Sequence, residues 1–145
     1  MPEYADIYIL APERTPQVVA NFLDAFIPDR EEAAAEYEIP QYSASPAIIF
    51  SHSQELIDYC CSHPQEVHTV YWRANRNQKP EHAMAFFLKD ANLILGVSTD
   101  AEDHSYIDDI VSKLKRYFGT DDVLMRYEEC PPESKEAFKA EIKLS

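Results

Sequence analysis

A chain of 145 residues with 46% hydrophobic and 12% aromatic residues is too apolar for a disordered protein, and its length suits one domain over residues 1–145. Its 26 acids against 13 bases leave a net charge of −13, which repels nucleic acid and anionic membrane and attracts basic partners. The only glycines, Gly96 and Gly119, are too far apart for a P-loop, a dinucleotide fingerprint or a nucleophile elbow, and neither sits in an EF-hand loop.

In chain order, Ala5–Leu10 reads as a strand. Thr15 is placed to cap a helix with Pro16 in its first position, and Val19, Phe22, Leu23, Phe26 and Ile27 form one stripe down to Pro28. Residues 29–38 are acidic, and Tyr37 and Ile39 alternate with Glu36 and Glu38 as in a half-exposed strand ending at Pro40. Ala47–Phe50 reads as a short strand. Ser53 is expected to cap a helix carrying Leu56, Ile57, Cys60 and Cys61. Three strands follow in succession, Val67–Ala74, Ala83–Lys89 and Leu93–Ser98, the last two joined by the turn Asp90-Ala91-Asn92. The clearest helix carries Ile107, Ile110, Val111, Leu114 and Phe118, and Gly119 stands where a left-handed helix terminus wants glycine. Val123–Tyr127 reads as a last strand, and a short helix with Phe138 and Ile142 closes the chain. Consecutive strands joined by short turns argue for an α+β fold: a mainly antiparallel or mixed sheet with helices packed on one face.

The run MPEYADIYIL has an acid at Glu3 and no basic segment, so no signal peptide is expected there. No apolar stretch approaches the roughly 18 residues of a transmembrane helix. Three cysteines, two of them adjacent at Cys60 and Cys61, argue against a disulfide framework and point to the cytoplasm. The histidines and cysteines show no zinc-ligand spacing, so neither metal nor cofactor is expected. A thiol enzyme has little support, because Cys60 and Cys61 fall toward the C-terminal end of their helix, where the dipole opposes a thiolate.

Two surfaces stand out. Asp100, Asp103 and His104 crowd the start of the long helix and form a candidate ligand site or acid–base pair; acids in a first helical turn also serve as caps. Asp109 and Lys113 have the spacing of a helical ion pair. The other surface is the basic stretch with Arg73, Arg76 and Lys79, preceded by Tyr71 and Trp72, in a connection longer than a tight hairpin turn. With Glu32 and Glu36 of the acidic run, these residues are the candidate partner-binding surface. The leading expectation is a non-enzymatic interaction protein, such as an immunity-type inhibitor of a basic toxin or nuclease. The alternative is a small enzyme or ligand-binding protein using Asp100, Asp103 and His104. Self-association as a homo-oligomer is compatible with both.

Overall fold

The computed structural model describes residues 2–144. The chain runs β1 (Tyr4–Leu10), α1 (Pro16–Phe26), β2 (Arg30–Glu32), β3 (Tyr37–Ile39), β4 (Ile48–Phe50), α2 (Ser53–Ser62), β5 (His68–Ala74), β6 (His82–Phe87), β7 (Leu93–Asp100), α3 (His104–Phe118), β8 (Val123–Arg126) and α4 (Lys135–Leu144). Six strands form one antiparallel sheet in the order β2-β5-β6-β7-β1-β8, and β3 and β4 make a separate hairpin. The fold is the expected α+β type.

Helix ends follow local chemistry. The Thr15 hydroxyl accepts from the Val18 amide at 3.2 Å, with Pro16 opening α1. Gly119 closes α3 at φ 64°, a conformation that costs glycine little. One cap differs from expectation. Ser53 is the first residue of α2 and not its cap; its amide donates to Glu32 Oε1 at 2.8 Å, so a carboxylate from β2 caps the helix. On α3 the cap is Asp103, which accepts from the Tyr106 amide. Lys113 does not pair with Asp109 but donates to Ala25 O at 3.0 Å, above the Phe26 ring, tying α3 to α1.

Strand parity divides the core in two. Ile7, Ile9, Val70, Trp72, Ala85, Phe87, Leu95 and Val97 point to one side, where α1, α2 and α3 cover them with Phe22, Leu56, Ile110 and Leu114. Tyr8, Met84, Phe86, Ile94 and Leu124 point to the other, against Phe138 and Ile142 of α4. Three helices thus share a face as expected, and α4 takes the opposite one. Residues 93–99 are buried without interruption because β7 is covered on both sides. Cys60 lies within the helix-side core, and burial pushes its thiol up to about 12.

One polar residue moors this arrangement. All five guanidinium N–H groups of Arg14 go to backbone carbonyls: Cys60 and His63 at the end of α2, Glu66 just beyond it, and Leu88 and Asn92 in the β6–β7 turn, at 2.7–3.2 Å. The guanidinium therefore satisfies carbonyls at the negative end of α2 while joining that helix to the sheet. Among the described residues no helix is long and apolar enough to cross a membrane.

Candidate functional site: a half-covered sheet face

The α4 side of the sheet is apolar at one end and polar at the other. Registry places Glu31, Arg73, His82, Ser98, Asp6 and Arg126 side by side, one from each strand from β2 to β8. Arg73 pairs with Glu31 at 2.6 Å, and His82 Nδ1 lies 3.1 Å from Ser98 Oγ. At the far end Arg126 pairs with Glu141 of α4 and donates to Cys130 O. The next row is Tyr71, Met84, Gly96, Tyr8 and Leu124. Gly96 is required there: a Cβ would fall 2.6 Å from Tyr8 Cδ1 and 3.2 Å from Met84 Cε. The ring it admits lets Tyr8 donate to Glu129 O, while Asp6 Oδ2 accepts from the Glu129 amide at 3.0 Å, so both residues hold the segment after β8 on the sheet.

Burial governs the charges in this row. It raises Asp6, an effect the Glu129 and Glu128 amides oppose and the carboxylates of those residues reinforce. Burial also lowers His82, so the imidazole is held toward its neutral form. Asp6, Ser98 and His82 are the residue types of an acyl-transfer triad, but their order is wrong: Ser98 stands between the other two in register, and Asp6 is bonded to the Glu129 amide. Ser98 also lies in a strand flanked on both sides, whose amides point into the two ladders, so no pair of donors waits for an oxyanion.

Beyond the polar row the surface is acidic. Tyr4 packs edge-on against His82 at 5.2 Å between ring centres. Its phenol is raised by burial and then by the carboxylates of Glu3, Glu81, Asp100 and Glu128, which come from four separate parts of the chain. Glu81 also accepts from the Thr99 hydroxyl at 2.7 Å and the Asp100 amide at 3.0 Å.

At the other end, α4 stops short of β5. Tyr71 is 39% exposed and rests edge-on against Phe86, while Val67 is 50% exposed. A groove of about 770 Å³ runs here between Thr69 and Phe86 of the sheet, Leu88 just after β6, Pro131, and Ala137 of α4. Thr69 also borders a smaller depression of about 270 Å³ lined by Tyr37, Gln41, Tyr42 and Tyr71, among others. The Gln41 amide accepts from Thr69 N at 2.8 Å and donates to Thr69 O at 3.2 Å, acting as a single strand residue that closes the β5 edge below β2. Tyr42 follows at φ 66°, with its amide held by Glu38 Oε1 at 2.9 Å and its side chain 83% exposed. A bulky residue in that conformation is uncommon and needs such a restraint.

The expected partner surface is divided by this geometry. Tyr71, Arg73, Arg76 and Lys79 are exposed, but Trp72 is 2% exposed because strand parity turns it into the helix-side core. The basic loop is largely neutralised within the molecule. Arg73 meets Glu31, Lys79 meets Asp103, and Asp29 accepts from the side chains of Asn75 and Gln78. Glu32 accepts from Tyr37 OH and the Ser53 amide, whereas Glu36 is exposed. In the alternative ligand site, Asp103 caps α3, and Lys79 holds its carboxyl below the usual range. Asp100 accepts from the Glu102 amide, and His104 is exposed. Among the described residues no three His, Cys, Asp or Glu side chains gather as a metal set.

Local spacing gave no sign of the polar row, since its members are scattered from residue 6 to residue 126. The available cue was a polar residue inside an apolar strand: Asp6 between Ala5 and Ile7, or Ser98 after Val97. Comparison with protein-family models, curated proteins and solved structures finds no match to this chain.

Proposed function

We propose that this chain is a non-enzymatic binding protein for a basic protein partner, as an immunity-type inhibitor is for a cationic toxin or nuclease. The observation that carries the reading is the charge on the half-covered sheet face. Glu3, Glu81, Asp100 and Glu128 converge around Tyr4, while nearby Arg73, Lys79 and Arg126 are each paired with a carboxylate of the same molecule. The remaining field is negative, and such a surface draws a cationic partner from a distance over the roughly 10 Å that salt allows at 0.1 M.

The test is surface plasmon resonance against a panel of cationic toxin and nuclease domains at low and physiological salt. Glu3→Lys combined with Glu129→Lys reverses exposed charge at this face, and Asp108→Lys with Asp109→Lys reverses it on α3. The first pair should slow association about tenfold, the second pair much less, and dissociation should change little in both. An association rate indifferent to salt and to the first pair defeats the reading.

A further inference from the structure

The two edges of the main sheet differ in how they meet solvent. At one edge β2 is Arg30-Glu31-Glu32, charged throughout, and Gln41 closes the rest of β5. At the other edge β8 reads Val123-Leu124-Met125-Arg126. Its one charge, Arg126, is turned onto Glu141 of α4. One side of the β8 backbone pairs with β1, and among the described residues no strand or loop backbone bonds to the other side. Met125 is 42% exposed there. Charged residues guard a sheet edge against pairing with another chain, and the Val-Leu-Met run of β8 lacks that guard.

Charge indicates which strand fits. Residues 1–103 hold seventeen acids against six bases, whereas residues 104–145, which include α3, β8 and α4, hold nine against seven. A second copy arriving at β8 therefore meets a nearly balanced part of a strongly acidic chain, where like-charge repulsion is weakest.

The edge is also complementary to itself. Directly opposed residues of an antiparallel pair share a face. A two-fold pairing of β8 centred on Leu124 sets Val123 against Met125 on the helix side. On the α4 side it sets Asp122, which lines a hollow with Phe138 and Lys139 of α4, against Arg126. Centring on Met125 would oppose Asp122 and Glu128, and centring on Val123 would leave Asp122 facing Leu124 and Arg126 facing Thr120. Because Glu141 and the Cys130 carbonyl already engage Arg126, the cross-copy charges choose the register. The backbone ladder and the apolar side chains hold it.

The helix layer leaves room for this pairing. α3 packs over β1 and β8, with Lys113 and Tyr117 turned toward α1. At about 100° per residue, Asp108, Val111 and Lys115 fall on the opposite flank, toward the open edge. Their mixed signs give a second α3 no like-charged face to meet. Strands lie about 4.8 Å apart, so two helices each above a β1–β8 pair would stand about 10 Å apart across the axis, the spacing of packed helices.

We infer that β8 is a dimerisation edge, at which two copies pair antiparallel about an axis at Leu124 and make one sheet continuous across both. The inference does not depend on the reading of the chain as a binder of basic proteins.

The experiment is sedimentation of the full chain over a wide concentration range, with amide exchange of residues 123–126 read by NMR at both ends of it. The chain should dimerise, and exchange within β8 should slow as it does. Met125→Lys places a guarding charge on the edge and should weaken the dimer at least tenfold. Asp122→Lys sets like charges in opposition and should weaken it severalfold, although it makes the chain less acidic. Glu55→Lys makes the same change of charge on exposed α2, far from the edge, and should not weaken it. Both edge substitutions fall at exposed positions, and circular dichroism checks that each variant folds.

A chain that stays monomeric at millimolar concentration overturns the inference. So does a dimer that is indifferent to Met125→Lys and leaves β8 exchange unchanged, since its interface lies elsewhere. A dimer unchanged or strengthened by Asp122→Lys overturns the register, and with it the self-complementarity that selects a second copy. Protection of the β8 amides only on adding a cationic toxin domain gives the edge to a foreign strand and also overturns it.

Discussion

Tyr71 and Trp72 are neighbours in sequence and opposites in structure. Trp72 points into the face covered by three helices and is 2% exposed, while Tyr71 points to the face that α4 covers only in part and is 39% exposed. The helix side is a continuous apolar core from Ala5 to Leu114. The other side joins a smaller core to a polar row and an acidic rim. A sheet sealed on one face leaves its second face freer to carry function, because residues there can change without opening the main core.

The sharpest way to break that contrast is to truncate the two neighbours. Trp72→Ala should cost about 3–5 kcal/mol, as for a large buried aromatic, and Tyr71→Ala about 1 kcal/mol or less. Urea denaturation measures both. Comparable losses would mean that the second face is as essential to the core as the first.

Arg14 shows that the helix side is held by more than apolar contact. Lys at this position has three donors on a flexible stem and cannot reproduce a planar fork feeding five carbonyls. Arg14→Lys should therefore destabilise by about 2–3 kcal/mol, the loss expected when charge-assisted hydrogen bonds are left unmade. Hydrogen exchange should rise first in the last turn of α2 and the β6–β7 turn. Faster exchange confined to residues near Arg14 itself would show that it does not moor the helix.

Gly96 tests the second face from within. Gly96→Ala drives a methyl into the Tyr8 ring, and overpacking of this kind costs about 1–3 kcal/mol. Because the ring is the obstacle, Tyr8→Leu should absorb part of the penalty, and the double variant should lose less than the sum of the singles. Additive losses would place the strain elsewhere.

The comparison of faces also marks where sequence reading succeeds. Thr15, Pro16 and Gly119 identify helix ends because caps are local chemistry, and the stripe from Ile107 to Leu114 needs only helical periodicity. β2 escaped because Arg30-Glu31-Glu32 has no apolar pattern and is a strand only by pairing with β5. Trp72 entered the expected contact surface because its parity matters only once α1–α3 are known to cover that side. The polar row was illegible for the same reason: six strands must be in register before Asp6, Ser98 and His82 become neighbours.

The smallest expected effect lies in that row and depends on pH. Burial lowers His82 in the folded protein, with Glu81 opposing the shift and Arg73 adding to it, while in the unfolded chain the imidazole titrates near its ordinary value of about 6.5. A group depressed in this way contributes stability that is complete above the unfolded value and is lost as pH falls, since the unfolded state then binds the proton more readily. Asp6 acts in the opposite sense: its raised carboxyl contributes stability that is complete below the ordinary carboxylate value and fades as pH rises through the folded one. The His82 effect is therefore read most cleanly between about pH 7 and 5.5, where the imidazole crosses its unfolded value. His82→Gln keeps a polar side chain facing Ser98 but cannot titrate. As pH falls through that window, the parent should lose stability relative to this variant by under about 1 kcal/mol, read from urea midpoints at closely spaced pH values. A constant difference between the two proteins would mean that His82 titrates alike folded and unfolded, and that its place in the row does not disfavour the charged imidazole.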